Sequence, residues 1–413
     1  MLRARVVLGL ALLAIALPAV ADTPVLRYTT YLILQVDGAP VTVTMHSRPY
    51  GGTAGDYTYT DQPTYRVIGA SGSQLEDVDA ALGSTSTVTV PASAGKFALL
   101  ELRPRNNYVV AEPAGPYGIV ATEHAPMNTS GGFERLHFLV PRGLDAGSIF
   151  LHAFSVGEAA RAVVYDPDGN VANEVEDDFN EPMAVSFTVP PGQDGRVWSL
   201  GLLPPRREDW TIDDCKVWLG PSLPGVLAPQ PDWAESLGRP FAVEWTPLLD
   251  FEGASPIRTV QWSQAVPEGA TLPAYEVGLS DQNPHTGRQS LRVHLRFPDD
   301  LASQELKIFT ADLPVQHLER VRLWIHGDGS GRRLIIRVRD SSQEHHYCQV
   351  GTIDWTGWGE VVADFVSGQV SISGGDENKH IDGPPVVLVI QIGHDKGQPT
   401  DSMIYIDDIS ISP

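Results

Sequence analysis

The chain has few cysteines and no long hydrophobic segment beyond its N-terminus. Among 413 residues, only Cys215 and Cys348 are cysteines, and they fall in different predicted domains. Domains of this size do not need the dense disulfides of small exported scaffolds, so we expect both thiols to be buried and free. The longest apolar run falls short of the roughly 20 residues that a membrane-spanning helix requires, so an integral membrane protein is not expected.

Basic residues are also scarce. The 29 lysines and arginines face 51 aspartates and glutamates, which gives a formal net charge of −22. Phosphate binding needs a basic surface, so the composition argues against a nucleic-acid partner. The excess of acid is typical of a protein that stays soluble through its surface charge.

The first residues have the pattern of an export signal. Arg3 and Arg5 precede an apolar run from Val6 to Leu17, and Pro18 is followed by Ala19-Val20-Ala21. A basic start, a short apolar run and small residues before a cleavage point define a secretory signal peptide. We therefore predict a signal peptide at residues 1–21. We expect the mature protein to be exported, either to the outside of the cell, to the periplasm or to the cell surface. The source organism is expected to be bacterial.

Helical periodicity is nearly absent, and no amphipathic segment exceeds two turns. The chain instead has 33 prolines, 39 glycines and many short runs rich in Val, Thr and Ile. Such runs between turn residues are typical of β-strands. The length suits two or three domains. The sequence therefore predicts an all-β protein of several β-sandwich domains.

The first half contains an internal repeat, between residues 65–102 and residues 163–202. Each copy has a turn glycine, a strand, Thr-Val-Pro, a second turn glycine and a strand rich in Leu. The matching residues are Thr89-Val90-Pro91 with Thr188-Val189-Pro190, Gly72 with Gly169, and Gly95 with Gly195. Two tandem copies of one β-sandwich explain the match. Chance similarity between two β segments rich in Val and Pro is the alternative.

These patterns divide the mature chain into four segments. The predicted segments are a first sandwich at 22–118, a second at 119–222, a proline-rich linker at 223–246 and a third domain at 247–413. The linker is expected to be a semi-rigid spacer because of its prolines.

The tripeptide Ile-Asp-Asp occurs twice, at residues 212–214 and 406–408. At both places the apolar residues change from even to odd numbers across the acids. A strand can keep one face buried across such a change only if it contains an extra residue, so the pattern predicts a β-bulge at each pair. Acids at a bulge need not lie in a core.

Five segments of the third domain occur in the order and spacing of a known family. They are "DFEG" (250–253), "GRQSLRVHL" (287–295), "VRLWIHGDGSGRRLIIRVRD" (321–340), "GTIDWTGWGEVVADF" (351–365) and "IYIDDISI" (404–411). From residue 245 to 413 the chain resembles carbohydrate-binding modules of secreted bacterial proteins with the galactose-binding-domain-like jelly roll. The resemblance implies a jelly-roll sandwich that binds a glycan.

The same resemblance implies a structural calcium ion. In that family an acidic residue near the first strand and an aspartate in the last strand commonly hold calcium, which prefers oxygen ligands. The matching residues here are Glu252 and Asp407 or Asp408, with Asp250 less certain. Acids that are merely solvated at a bulge are the alternative.

Three strands of the third domain alternate apolar and basic or aromatic residues. If they share a sheet, their outward side chains form one face, on which aromatic rings can stack on sugars and arginines can bind carboxylate or sulfate. The predicted ligand-binding residues are Arg292, His294, Arg322, Trp324, His326, Arg337, Arg339 and, on a flanking strand, Tyr347. A solvated sheet, or one covered by the neighbouring domain, is the alternative.

No catalytic motif appears. The chain has no His-Glu-x-x-His, Gly-x-Ser-x-Gly, P-loop or dinucleotide-binding pattern. The favoured interpretation is a non-catalytic carbohydrate-binding accessory protein whose first two sandwiches act as spacers or contact protein partners. An anionic polysaccharide is a candidate ligand. A polysaccharide lyase or glycoside hydrolase is one alternative, and a structural cell-surface protein without sugar binding is another.

Overall fold

A computed structural model describes residues 23–50, 59–263, 271–298, 303–366, 368–384 and 386–412. Nearly all of its secondary structure is β-strand, which confirms the predicted all-β fold. The predicted signal peptide lies outside the described residues. Among those residues, no helix is both long and apolar enough to span a bilayer.

The described residues between 23 and 245 form what we call the two-sandwich body. They include the α-helix α1 (Pro231–Gly238) and the 3-10 turns Ala92–Ala94 and Arg239–Phe241. Its strands are β1 (Leu26–Arg27), β2 (Thr30–Gln35), β3 (Val41–Arg48), β4 (Thr64–Ile68), β5 (Gln74–Asp79), β6 (Thr85–Val90), β7 (Phe97–Arg103), β8 (Tyr108–Pro113), β9 (Tyr117–Val120), β10 (Met127–Ser130), β11 (Phe133–Leu139), β12 (Ala146–Ala153), β13 (Ala160–Tyr165), β14 (Val171–Asp177), β15 (Met183–Thr188), β16 (Val197–Leu203), β17 (Asp214–Leu219) and β18 (Val226–Leu227).

The same strand order occurs twice in the body, nine strands apart. One copy contains the orders β1-β8-β3-β6 and β2-β7-β4-β5, and the other contains β10-β17-β12-β15 and β11-β16-β13-β14. The paired turn glycines of the sequence repeat all have positive φ, 77° at Gly72 and 86° at Gly169, 104° at Gly95 and 68° at Gly195. Glycine adopts such angles without the steric cost of a Cβ atom, so these residues fix equivalent turns in both copies.

The two copies are joined edge to edge. Strand β1 pairs antiparallel with β10, which makes one eight-stranded sheet out of two four-stranded halves. Strand β18 likewise pairs with β9. Each pair joins equivalent strands of the two copies, so an approximate twofold axis relates them.

The segment predicted as a linker is packed rather than extended, so the expectation of a spacer is wrong. Strand β18 and helix α1 both lie within 223–246, and Trp245 is buried in the core of the body. The Trp245 amide donates to the carbonyl of Arg142 at 3.0 Å. The prolines here terminate strands and begin a helix, as the position of Pro231 at the start of α1 shows.

The C-terminal part is a sandwich of two antiparallel sheets. Its strands are β19 (Thr246–Leu249), β20 (Ile257–Trp262), β21 (Ala274–Ser280), β22 (Ser290–Arg296), β23 (Ser303–Thr310), β24 (Arg320–Asp328), β25 (Arg332–Arg339), β26 (His345–Ile353), β27 (Thr356–Asp364), β28 (Val370–Ser373), β29 (Val387–Asp395) and β30 (Asp401–Ser412). The front sheet has the order β21-β22-β30-β24-β27, with β19 also paired to β30, and the back sheet has the order β20-β23-β29-β25-β26-β28. The first and last strands of this part, β19 and β30, are therefore neighbours.

The core of this jelly roll lies between the front and back sheets. Leu291, Leu323, Ile336, Ile390 and Ile406 are all fully buried there. These residues alternate along their strands with the outward side chains, because successive strand residues point to opposite faces. The inward residues of β22, β24 and β25 are those that the sequence predicts.

The outer surface of the front sheet packs against the second sandwich of the body. Arg322 on β24 donates to Asp145 at 2.9 Å and to the carbonyl of Ala146 at 2.8 Å. It also donates to Glu360 on β27 at 2.5 Å, and the side chains of both residues are fully buried. Burial alone lowers the pKa of this guanidinium, but the charges of Glu360 and Asp145 outweigh burial and raise it. This ion-pair network joins the jelly roll to the body.

Candidate functional site

The three strands predicted to share one sheet lie in two different sheets. Strands β22 and β24 flank β30 in the front sheet, whereas β25 lies in the back sheet between β29 and β26. The prediction of a single ligand-binding face is therefore wrong. Alternation shows which side chains of a strand are buried, but both sheets of a sandwich have one buried face and give the same pattern.

Trp324 and Arg322 cannot contact a ligand. The Trp324 side chain is 0% exposed and stacks on the His285 ring, with the ring centroids 4.1 Å apart. Arg322 is held against the body by Asp145 and Glu360. Their prediction as sugar-binding residues is wrong, because Trp324 is buried beneath His285 and Arg322 is buried against the second sandwich.

The remaining predicted residues of the front sheet do not form an unpaired basic patch. Arg292 pairs with Glu276, with the two groups 3.1 Å apart, and His294 lies 3.1 Å from Asp401. His326 is half-buried between the rings of Trp358 and Tyr405. Acidic neighbours on β21 and β30 therefore neutralise the basic side chains that the sequence placed here.

The other three predicted residues do come together, on the outer face of the back sheet. Arg337 lies opposite Tyr347, and Arg339 opposite His345, across the β25–β26 pair. The Arg337 guanidinium lies 5.1 Å from the centre of the Tyr347 ring. We call this surface the back face. Tyr347 and Arg339 are both partly exposed on it.

The back face extends over β23 and β29. Phe309 and Val389 continue the row that contains Arg337 and Tyr347, and Lys307 and Gln391 lie in the next row. The side-chain amide oxygen Oε1 of Gln391 is buried and has no hydrogen-bond partner within the described part of the chain. A groove of about 220 Å³ borders this surface, lined in part by Arg339, Phe309 and Thr259.

The cations of the back face differ from those of the front sheet in their partners. Among the described residues, no carboxylate forms an ion pair with Lys307, Arg337 or Arg339, whereas Arg333 pairs with Glu305 and Asp395. In a chain with a net charge of −22, three unpaired cations on one face are a local exception. Such a face attracts anions.

His345 fixes the position of the Arg337 side chain. The Arg337 guanidinium donates to Nδ1 of His345 at 2.7 Å. Burial, followed by the charges of Arg337 and Arg339, lowers the pKa of His345 to about 4. The imidazole is therefore neutral near pH 7 and accepts this hydrogen bond, which fixes the guanidinium over the Tyr347 ring.

Sequence reasoning missed Lys307, Phe309, His345 and Gln391. The alternation of "QELKIFT" (304–310) would have identified the outward residues of β23, since Leu306 and Ile308 are buried. The local sequence does not show that β23 and β25 both pair with β29. Only the structure shows that their outward residues share one face.

The carboxylates predicted to bind calcium lie near one loop but do not form one cluster. Glu252 accepts the amides of Arg288 and Gln289, Asp407 accepts the amide of His285, and Asp408 accepts the Thr286 hydroxyl. In the described ranges, the only group of three or more potential ligands whose atoms all lie within 4.8 Å is a different one. The residues thus do not fit a three-carboxylate cage. Calcium at Glu252, Asp407 and Asp408 stays a prediction.

The β-bulge at Asp407-Asp408 is confirmed. The register between β24 and β30 shifts between Arg322 and Trp324, and Asp408 has a φ of 45°. Both acids are buried, so the alternative of acids that are merely solvated at the bulge is wrong. Burial, followed by the charge of Asp408, raises the pKa of Asp407 to about 7. The bulge predicted at Asp213-Asp214 is wrong, because β17 begins at Asp214 and the preceding residues are not in that strand.

No protein-family model and no curated protein sequence matches the chain. Several solved structures are similar to it. The family 11 carbohydrate-binding module of a cellulosomal cellulase of Clostridium thermocellum is 13% identical, with a TM-score of 0.31, and the match covers 41% of this chain and 95% of that module. The family 61 module TmCBM61, solved in complex with β-1,4-galactotriose, is 18% identical, with a TM-score of 0.25 and coverage of 38% and 90%.

A third similar structure contains two modules in tandem. It is the N-terminal CBM22-1–CBM22-2 tandem domain of Paenibacillus barcinonensis Xyn10C, which is 13% identical, with a TM-score of 0.26 and coverage of 71% of this chain and 90% of that one. All three are β-sandwich carbohydrate-binding modules, the class that the C-terminal segments resemble.

Proposed function

We propose that this chain is an exported, non-catalytic carbohydrate-binding protein that binds a glycan on the back face of its jelly roll. The observation that carries the proposal is the grouping of Tyr347 with Arg337 and Arg339, two arginines without a carboxylate partner in the described part of the chain. The pattern of the signal peptide supports export, and an exported product should begin at Asp22, which N-terminal sequencing can test.

The chemistry of the back face suits an anionic polysaccharide. A tyrosine ring offers an apolar surface to the C–H face of a sugar, and an arginine fork can make two parallel hydrogen bonds to carboxylate or sulfate. On the front sheet, Arg292 and His294 lie against acidic residues, and Arg322 is buried against the body. His326 is half-buried between two aromatic rings, so the described part of this sheet does not repeat the combination.

The test measures binding of the full mature chain to an array of neutral and anionic polysaccharides, followed by calorimetry with the best binder. We expect Tyr347→Ala to weaken binding about 10-fold, the loss expected for one stacked ring. Arg339→Gln should weaken binding of anionic glycans more than of neutral ones, and increasing salt should reduce this difference.

Arg296→Gln is the matched control, because it removes the same charge from the front sheet. Binding that Arg296→Gln and Arg339→Gln weaken equally would point to net charge alone and contradict a site on the back face. An array with no binder would contradict the function itself. Release of sugar products by the wild-type chain would favour an enzyme instead.

A further inference from the structure

Three buried side chains form a cluster at the tip of the β25–β26 hairpin. Asp340, Glu344 and His346 each offer one ligand atom, and these atoms all lie within 4.8 Å of one another. All three residues are at most 1% exposed. None of the three is among the residues predicted from the sequence to bind a glycan or calcium.

Two atoms of the cluster lack hydrogen-bond partners. Neither Oε1 of Glu344 nor Nε2 of His346 has a partner in the described part of the chain, although both are buried. Nε2 of His346 lies 3.5 Å from Oδ2 of Asp340, but the contact lacks hydrogen-bond geometry. Buried polar atoms are normally satisfied, so two orphans pointing into one cluster indicate a missing partner.

The charge of the cluster leads to the same conclusion. Among the described residues, no lysine or arginine forms an ion pair with Asp340 or Glu344. A buried carboxylate is normally paired with a cation or coordinates a metal, since leaving it alone in a low-dielectric interior is costly. Hydrogen bonds from the protein offset part of this cost at Asp340 and Glu344, and a cation held between the two carboxylates would offset the rest.

We propose that Asp340, Glu344 and His346 bind one divalent transition-metal ion, with Zn²⁺ favoured. Two carboxylates and one imidazole match the oxygen and nitrogen ligands of zinc, and three protein ligands leave one position for water. Tetrahedral bonds of about 2.1 Å place neighbouring ligand atoms about 3.4 Å apart. The observed 3.5 Å between Asp340 and His346 agrees with this spacing. Calcium fits less well, because it prefers six to eight oxygen ligands.

The surrounding contacts hold the ligands in place. The Asp382 amide donates to Oδ2 of Asp340 at 3.1 Å, and the Asn378 amide donates to Oε2 of Glu344 at 3.1 Å. The Ser342 hydroxyl donates to Oδ1 of Asp340. These hydrogen bonds fix the two carboxylates and leave Oε1 of Glu344 free to bind an ion. Residues that hydrogen-bond to metal ligands orient those ligands in the same way at known metal sites.

The ion would hold the hairpin tip together, and the amides of Asn378 and Asp382 connect its ligands to the loop at residues 376–382. The same hairpin carries Arg337, Arg339 and Tyr347 a few residues away. The metal site is argued from its own ligands and does not depend on glycan binding, so the two proposals can fail separately.

The experiment uses the full mature chain, stripped of metal with a chelator and then titrated with Zn²⁺. We expect one Zn²⁺ per chain and a rise in melting temperature as the ion binds the folded state. Glu344→Gln and His346→Gln should each lower the Zn²⁺ affinity at least 10-fold. Glu252→Gln is the matched control and should leave the affinity unchanged, because it makes the same substitution at a calcium candidate.

Absence of Zn²⁺ binding by the wild-type chain would overturn the proposal, as would equal affinity in wild type, Glu344→Gln and His346→Gln. If the variants do not fold, the proposal can still be tested on the wild-type chain by replacing Zn²⁺ with Co²⁺ and recording the visible absorption spectrum. Bound Co²⁺ with the visible absorption of a four-coordinate site supports the proposal, and Co²⁺ that gives no such band overturns it.

Discussion

At the scale of single residues, neighbours rather than residue type decide what a side chain does. Arg322 and Arg339 are both outward residues of jelly-roll strands. Arg322 is buried between Glu360 and Asp145 and joins two parts of the molecule, whereas Arg339 has no acidic partner among the described residues and lines a groove. The same guanidinium is structural in one case and available to a ligand in the other.

The two cysteines give a prediction at this scale. Both are buried and free, as the sequence indicates. Burial raises the pKa of Cys215 to about 12 and also raises that of Cys348. Because the thiolate is the reactive form, neither thiol should react with an aromatic disulfide reagent in the native protein at pH 8.

The same assay in denaturant should detect two reactive thiols per chain. A native thiol that reacts as fast as the denatured ones would show that its burial is wrong.

From the sequence, it was easier to predict which residues of a strand are buried than to predict which strands lie next to each other in a sheet. Alternation in β22, β24 and β25 correctly separated inward from outward residues, because a period of two reports one buried face. It could not place β25 in the opposite sheet, since strand pairing depends on residues far apart in the chain. It also could not show that Arg322 is buried against the body, because its partner Asp145 lies 177 positions earlier in the chain.

At the scale of elements, segments of the chain contact one another closely at turns and bulges. The bulge in β30 was predictable because a change of parity needs an extra residue. The packing of the segment 223–246 was not, because its prolines are equally compatible with a free spacer. The backbone of this segment passes very close to Gly143. A Cβ atom on this glycine would lie 1.7 Å from the carbonyl oxygen of Trp245.

Gly143→Ala should therefore destabilise the protein strongly. Its positive φ of 76° costs an alanine about 1–2 kcal/mol, and the clash with the Trp245 backbone should add about 1–3 kcal/mol. The measurement is the melting temperature of the full chain.

Gly157→Ala is the control. Gly157 has a φ of 90° but open space around the Cβ position, so only the cost of the backbone angle should apply. Equal destabilisation by the two substitutions would show that the segment does not pack against Gly143.

At the scale of the whole molecule, the buried network around Arg322 holds the jelly roll against the second sandwich. Arg322→Met should lower stability by about 3–5 kcal/mol, because it leaves Glu360 buried without its cation. Chemical denaturation of the full chain measures the change. The double variant Arg322→Met, Glu360→Gln should recover part of the loss, since it removes the uncompensated charge.

Arg320→Met is the comparison, on the same strand. Arg320 pairs with Asp364 at a partly exposed position, where an ion pair is worth about 0–1 kcal/mol. A loss at Arg322 no larger than the loss at Arg320 would mean that the network does not join the two parts.

The duplication in the body has a consequence for assembly. Two equivalent sandwiches meet through β1 with β10 and β9 with β18, as two subunits would meet across a symmetric interface. Here the two halves belong to one polypeptide, so their encounter is intramolecular and its strength is independent of protein concentration. Dilution, which separates ordinary homodimers, leaves this pairing intact.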